Sequence, residues 1–289
     1  MNRKALQQKD HVKYLGVLLD EHLNWKYQIN GVALKISRGI GILAKLKPYL
    51  KNNLLRSIYF SLVYSHLSYG VHVWGSADKT SLNKIVTLQN KAIRILSGVQ
   101  YFQIYGQDPG PLPSSEPLFK NLRILKFSDI FKLSIATFVY STLDFETPQI
   151  FHEWFIFNYE VHEHNTRLNS EITQEHHFDV GTVEQSLSLH TRGCKNSYGQ
   201  KMIQVSGPVV WNSIPAIIQK SPSINSFKTK LKKHLLGEDI INNNNDNDNN
   251  NNNHYINNRN RGNSRNNNYG TLTDQNRSNI VQALLNQRD

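Results

Sequence analysis

The spacing of apolar positions changes along the chain, and each change marks an element. From Val12 to Leu19 the residues are β-branched, aromatic or aliphatic, interrupted only by Lys13 and Gly16. Such a run predicts a strand, and Gly16, lacking a Cβ, lets it bend or double back as a short hairpin. After Asn24 the period becomes helical. Trp25, Ile29, Val32, Ile36, Ile40 and Leu43 recur at three-to-four spacing, with Asn24 as the predicted N-cap and Pro48 as the stop. A second helix is predicted over residues 53–67 from Leu55, Ile58, Leu62 and Val63, followed by the aromatic stretch Tyr69 to Trp74, which ends at Gly75. A third covers residues 81–97, with Leu82, Ile85, Leu88, Ala92 and Ile95 on one face and Gly98 in the usual C-terminal position. These helices are expected to pack around Trp25, Ile29, Leu62, Ile85 and Leu88.

Periodicity lapses between Tyr101 and Pro117, where prolines and glycines predict a loop or boundary. It resumes at residues 122–143 and 149–160, read as buried helices. Residues 162–190 are polar and rich in histidine. Gly207, Pro208, Trp211, Asn212 and Pro215 predict a compact turn, and residues 223–236 a last helix with Phe227, Leu231 and Leu235 on one face. Between Asn242 and Asn268, 17 of 27 residues are Asn. A segment with so little apolar surface cannot offset its ordering entropy, so a disordered tail is expected. Its Arg259, Arg261 and Arg265 could touch RNA or simply belong to a low-complexity tail. The fold class expected is mainly α, with a short N-terminal strand or hairpin.

Charge sharpens this picture. Residues 1–100 hold 15 Lys and Arg against 4 Asp and Glu, whereas residues 101–289 hold 18 of each, so the whole excess of +11 sits in the first third. A cationic surface confined to one module suits a polyanion, because neutralising phosphates releases condensed counterions. The plain alternative is a generally basic protein with a solvated surface. No apolar stretch is long enough for a membrane span and the N-terminus lacks the apolar core of a signal peptide, so no membrane association is expected and an intracellular location, nucleus or cytoplasm, is. The single cysteine, Cys194, fits a reducing compartment.

Catalytic chemistry is hard to find. A two-metal polymerase or nuclease needs paired carboxylates, and the chain has no Asp-Asp pair. Asp20-Glu21 is the nearest approach and reads as a solvated turn or helix-entry acid. Phosphate-loop, zincin and hydrolase motifs are absent. His162, His164, His176, His177, His190 and Cys194 fall in one polar region, but a single thiolate makes a poor zinc site, and hydrogen-bonding or surface histidines are expected. No cofactor is implied.

Taken in order, several stretches resemble the C-terminal part of non-LTR (LINE-type, jockey-like) retrotransposon reverse transcriptases. They are Val12-Lys13-Tyr14-Leu15-Gly16-Val17-Leu18-Leu19-Asp20, Leu23-Asn24-Trp25, Tyr69-Gly70-Val71-His72-Val73-Trp74-Gly75 and Leu88-Gln89-Asn90-Lys91-Ala92-Ile93-Arg94. Pro117-Leu118-Phe119, residues 122–125, His164-Asn165-Thr166-Arg167, Gly207-Pro208, Trp211-Asn212, Pro215 and Phe227 continue the series. The order and spacing, across about residues 10–236, carry the resemblance more than any one motif.

The resemblance implies that Tyr14, Leu15 and Gly16 are primer-grip-like and that the three helices are a thumb holding a template–primer duplex by its backbone. Residues 1–23 would then close a palm, 24–100 form the thumb-like bundle, 101–116 a linker, 117–237 a helical C-terminal domain and 238–289 the Asn-rich tail. Lys26, Lys35, Arg38, Lys45, Lys47, Lys91 and Arg94 are the candidate phosphate contacts, since helical Lys and Arg position a duplex without reading its sequence. The family's fingers, palm and catalytic aspartates would lie before Val12, so the chain is expected to be a catalytically inert fragment whose partners are an RNA/DNA or RNA duplex and a polymerase's catalytic half. The rival expectation is a helical protein-interaction module derived from such an element.

Overall fold

The computed structural model describes residues 9–98, 114–161 and 187–238. Residues 101–113 of the expected linker, most of the histidine-rich stretch and the Asn-rich tail from residue 239 lie outside the described residues, and Glu116, expected to end the linker, already begins a helix. What is described is mainly α-helical with one small sheet, as the periodicity predicts.

The N-terminal run folds as a hairpin. β1 (His11–Tyr14) pairs antiparallel with β2 (Val17–Asp20), with His11 opposite Asp20 and Tyr14 opposite Val17. Leu15 and Gly16 form the two-residue turn, both with positive φ (44° and 82°), as a type I′ turn requires.

Helix α1 (Lys26–Leu46) buries Ile29, Val32, Ala33, Ile36, Ile40 and Leu43. Its cap differs from the expected Asn24. Trp25 precedes the helix in a left-handed conformation with no side-chain cap of its own, and Asp20 serves instead. Its two carboxylate oxygens accept the backbone N–H groups of Asn24 and Trp25, each at 2.8 Å. Asp20 is thus a helix-entry acid, though a buried rather than a solvated one.

Helix α2 begins as Asn52–Tyr59, passes through a π turn at Phe60–Tyr64 and ends as Ser65–Ser68. Its buried face is Leu55, Tyr59, Val63 and Leu67, not the expected Leu55, Ile58, Leu62 and Val63. A spacing of four drifts about 40° per step in an α-helix; the wider π turn takes up the drift and keeps all four side chains inward. A one-turn helix, α3 (Val71–Trp74), leads to α4 (Lys79–Ser97). α4 buries Ile85, Gln89, Ala92, Ile93 and Leu96, leaving Leu88 and Ile95 only partly covered. Leu62 is likewise half-buried; of the five expected core side chains, Trp25, Ile29 and Ile85 are fully inside.

α1 and α4 run in the same direction, because the Lys84 ammonium reaches the Asn30 side chain (3.0 Å) while Lys47 reaches the Leu96 carbonyl (2.9 Å). α2 returns between them, its Leu62 packed against Gly39 of α1.

Past residue 114 the chain is helical but broken differently from expectation. α5 (Glu116–Asn121) and α6 (Phe127–Leu143) are separated by a turn at Leu122–Leu125 in which Arg123 has φ 51°. The turn lets Phe119, Ile124, Leu125 and Phe127 enter the same core as the first three helices. α6 then carries Ile135, Ala136, Val139 and Tyr140 into a second core with Phe155, Leu189, Trp211, Ile218, Phe227 and Leu231. A Cβ on Gly75 would run into the Phe131 ring, so the close approach of α6 to the end of α3 needs glycine there.

The expected helix over 149–160 is a 3-10 segment (Gln149–Trp154) followed by one turn, α7 (Asn158–Val161). After α8 (Ser197–Lys201), the stretch expected as a turn around Gly207 and Pro208 is a helix, α9 (Ile203–Asn212). Pro208 lacks an N–H, so α9 forgoes one helical bond; burial of Gly207, Pro208 and Trp211 outweighs it. α10 (Ala216–Gln219) and α11 (Ile224–Leu235) close the fold. The Ser223 hydroxyl caps α11 by accepting the Ser226 N–H.

One fully buried polar side chain links the first three helices to the start of α6. Gln89, 1% exposed, donates to the Tyr59 hydroxyl (3.1 Å) and the Leu125 carbonyl (2.9 Å), and its carbonyl accepts the Phe127 N–H (2.8 Å). Gln89→Leu is expected to lower stability by about 2–4 kcal/mol by stranding these partners. Urea unfolding should show a lower midpoint at an unchanged slope. Asp129, in the first turn of α6, has its carboxyl pushed above the ordinary range by burial, partly offset by Lys126 and Lys132. A carboxyl raised on folding weakens the fold once pH exceeds its unfolded value, near ~3.9. Asp129→Asn should therefore raise the melting temperature at neutral pH, a gain that shrinks as pH falls through the raised folded value and is gone below about 4.

Candidate nucleic-acid interface

The three helices of the first module contain no carboxylate. Among the described residues between Lys26 and Ser97 the only acid is Asp78, which pairs with Lys201 at 2.6 Å. The field over this surface is therefore set by cations. Its reach is visible at His66 near the end of α2, whose imidazole is held below its ordinary value by burial first and by the Lys35 charge second.

Lys35, Arg38 and Lys45 are all exposed on α1. At about 100° per residue they fall within one outward arc, opposite the stripe of Ile29, Ile36, Ile40 and Leu43. From Lys35 to Lys45 the axis rises about 15 Å, the length of several phosphates along a strand. Lys26 is exposed in the first turn of α1, near the hairpin. Lys91 is exposed on α4 and Arg94 half-buried one turn on.

Lys47 is placed differently. Its ammonium is half-buried and donates to the Leu96 carbonyl (2.9 Å) and the Asn52 side chain (3.0 Å), where it complements the C-terminal end of α4. It works inside the bundle. Lys84, not among the sequence candidates, lies seven residues before Lys91 and so on the same stripe of α4, while bonded to Asn30. That spacing was the signal for it. Arg56 is structural: its Nε donates to the Leu122 carbonyl (3.3 Å) and its guanidinium sits 5.0 Å from the Phe60 ring centroid.

The hairpin tip stands beside these helices. Tyr14 and Leu15 are 64% and 75% exposed, yet the tip is fixed from behind. The Tyr69 hydroxyl donates to the Leu15 carbonyl at 2.6 Å, and a Cβ on Gly16 would come within 3.2 Å of the Tyr69 ring. Trp74 donates its indole N–H to the Tyr69 carbonyl (3.0 Å), which ties this clamp to the core. From the other side Gln28 of α1 accepts the Leu18 N–H (2.9 Å), and the rings of His11 and Tyr27 stack at 4.3 Å. The aromatic stretch after α2 thus holds the tip beside the first turn of α1.

Elsewhere, no group of three or more His, Cys, Asp or Glu side chains that could hold a metal ion occurs among the described residues. Of the histidine-rich candidates, His162 to His177 lie outside them. The His190 backbone N–H donates to the Ile156 carbonyl (2.8 Å), and the Cys194 thiol faces the Asn196 side chain (3.5 Å). No described helix is long and apolar enough to cross a membrane.

Over about a third of its length the chain is similar to RNA-directed DNA polymerases of non-LTR retrotransposons. It is 33% identical over 109 residues to the RNA-directed DNA polymerase from mobile element jockey of Drosophila melanogaster, and 32% identical over 106 residues to the jockey polymerase of Drosophila funebris. It is 28% identical over 100 residues to the probable RNA-directed DNA polymerase from transposon X-element of Drosophila melanogaster. These matches cover 33–35% of this chain and only 11–12% of the relatives' length. No family model matches, and no solved structure matches.

Tyr69→Phe should remove about 1 kcal/mol from the hairpin alone. Amide hydrogen exchange should quicken in residues 11–20 while the melting temperature of the bundle barely moves.

Proposed function

We propose that residues 24–98 bind the sugar–phosphate backbone of a template–primer duplex, in the manner of a thumb, with the Tyr14-Leu15-Gly16 tip serving as the adjoining primer-grip-like element. The observation that carries this reading is three helices without a carboxylate, with Lys35, Arg38 and Lys45 exposed along one arc of α1. Similarity to RNA-directed DNA polymerases supports the partner class. Phosphate contacts from flexible cationic side chains give affinity without sequence preference, as a polymerase moving along its template requires. Lys26, Lys91 and Lys84 extend the contact; Arg94, half-covered, sits at its margin.

The chain as given is not a polymerase on this reading. It contains no adjacent Asp-Asp pair, so the two catalytic metals would be held by a separate palm, against which the duplex is clamped. Alone, the module should bind weakly, since one wall of a cleft makes only part of the contacts.

The test is duplex binding at several salt concentrations. Replacing Lys35, Arg38 and Lys45 together with Ala should weaken binding to all sequences alike and reduce the salt slope by about two to three units. Unchanged binding, or affinity that ignores salt, would refute the thumb reading and favour a protein-interaction module. Primer extension by rigorously purified chain is expected to be undetectable.

A further inference from the structure

A second cationic surface lies far along the chain, hidden when charge is summed over residues 101–289. Among residues 187–238 there are eight Lys and Arg, and the only acid is Glu238. Glu238 is already engaged, accepting both the Nε and a terminal N–H of Arg123 (2.8 and 2.7 Å). Lys220, Lys228, Lys230, Lys232 and Lys233 lie on or just before α11, and none forms an ion pair among the described residues.

The arrangement of α11 narrows what these lysines are for. Phe227 and Leu231 are 0% and 2% exposed, with the Phe227 ring stacked on Tyr140 (4.5 Å between centroids) and Trp211 (5.9 Å). The apolar face is therefore occupied by the protein's own core and cannot enter a lipid surface, which an interfacial helix must do. Lys232 and Lys233 in the last turn suit the helix dipole. That does not account for Lys228, which with Lys232 forms a like-charge pair at i, i+4, a spacing that weakens a helix. Nor does it account for Lys230 or for Lys220 before the helix begins.

We infer that α11 and Lys220 form a second phosphate-binding surface, engaging the backbone of RNA or DNA with residues separate from the arc on α1. Lys228 and Lys233 are exposed and Lys230 and Lys232 half-exposed, so the ammonium groups fan around the whole solvent side of the helix. A strand can thus be followed by several contacts as it passes. This surface shares its partner class with the bundle reading but none of its residues.

The experiment compares four versions of the full chain on an RNA/DNA hybrid duplex: unaltered, Lys35, Arg38 and Lys45 to Ala, Lys228, Lys230, Lys232 and Lys233 to Gln, and both sets together. Thermal melts confirm folding, and a fifth version with the four α11 lysines changed to Arg keeps the charge. The Gln version is expected to lose about tenfold or more in affinity at ~0.1 M salt and about three units of salt slope, with the Arg version near normal. Vesicles of anionic lipid form the second arm, and no lysine-dependent binding is expected there. Unchanged duplex binding in the Gln version, an equal defect in the Arg version, or lysine-dependent binding to vesicles alone would each overturn the inference. Loss in the Ala version only would leave the bundle reading standing without this one; loss in the Gln version only would do the reverse.

Discussion

The amide of Gln89 is the contact on which the described architecture turns. An uncharged side chain at the centre of a hydrophobic core is tolerable only if its hydrogen-bonding groups are matched, and here both ends are used. One end engages the Tyr59 phenol of α2, itself pushed above its ordinary value by burial. The other accepts the Phe127 N–H, one of the groups a helix start leaves without an internal partner. A single residue of α4 therefore registers α2 against the beginning of α6. Since α6 continues into the second core, this amide helps to refer that core back to the bundle, beside the Arg56–Leu122 and Lys201–Asp78 contacts.

The bundle also pays for its charge in an unusual way. With no carboxylates on α1, α2 or α4, the cations gain nothing from exposed ion pairs. Such pairs contribute little in any case, with a median near ~0–1 kcal/mol. Cohesion comes from the apolar stripes and a few internal donors, of which Lys47 is the clearest. That separation leaves the outward cations free of structural duty, so the outer surface can change without disturbing the core.

Much of the fold was legible in the sequence, and the discrepancies have local causes. The hairpin was readable because β-branched residues flank Gly16, and the three helices because their apolar stripes repeat. The inward face of α2 was not, since a strict spacing of four drifts steadily around an α-helix until a π turn takes up the drift. Asn24 looked like a cap by residue type, but Asp20, brought back by the hairpin, supplies the acceptors, a contact set by tertiary geometry. Gly207 and Pro208 suggest a turn by local propensity, yet both are buried within a helix, Gly207 close against Phe155 and Val139. For the candidate interface, Lys35, Arg38 and Lys45 could be placed from periodicity alone. Lys47 could not, because its role depends on where the end of α4 falls, and the lysines of α11 were concealed by acids elsewhere in the same sum.

The turn at Leu15 has a further meaning for the evolution of such a chain. Its left-handed backbone would be satisfied at less strain by Asn or Gly, and a left-handed conformation costs an ordinary residue about 1–2 kcal/mol. Leu15 recovers little of that through packing, being 75% exposed. Selection for folding alone would favour replacing it. A lineage that keeps a bulky aliphatic group at the tip is holding it against a thermodynamic gradient, so the side chain answers to a demand other than stability.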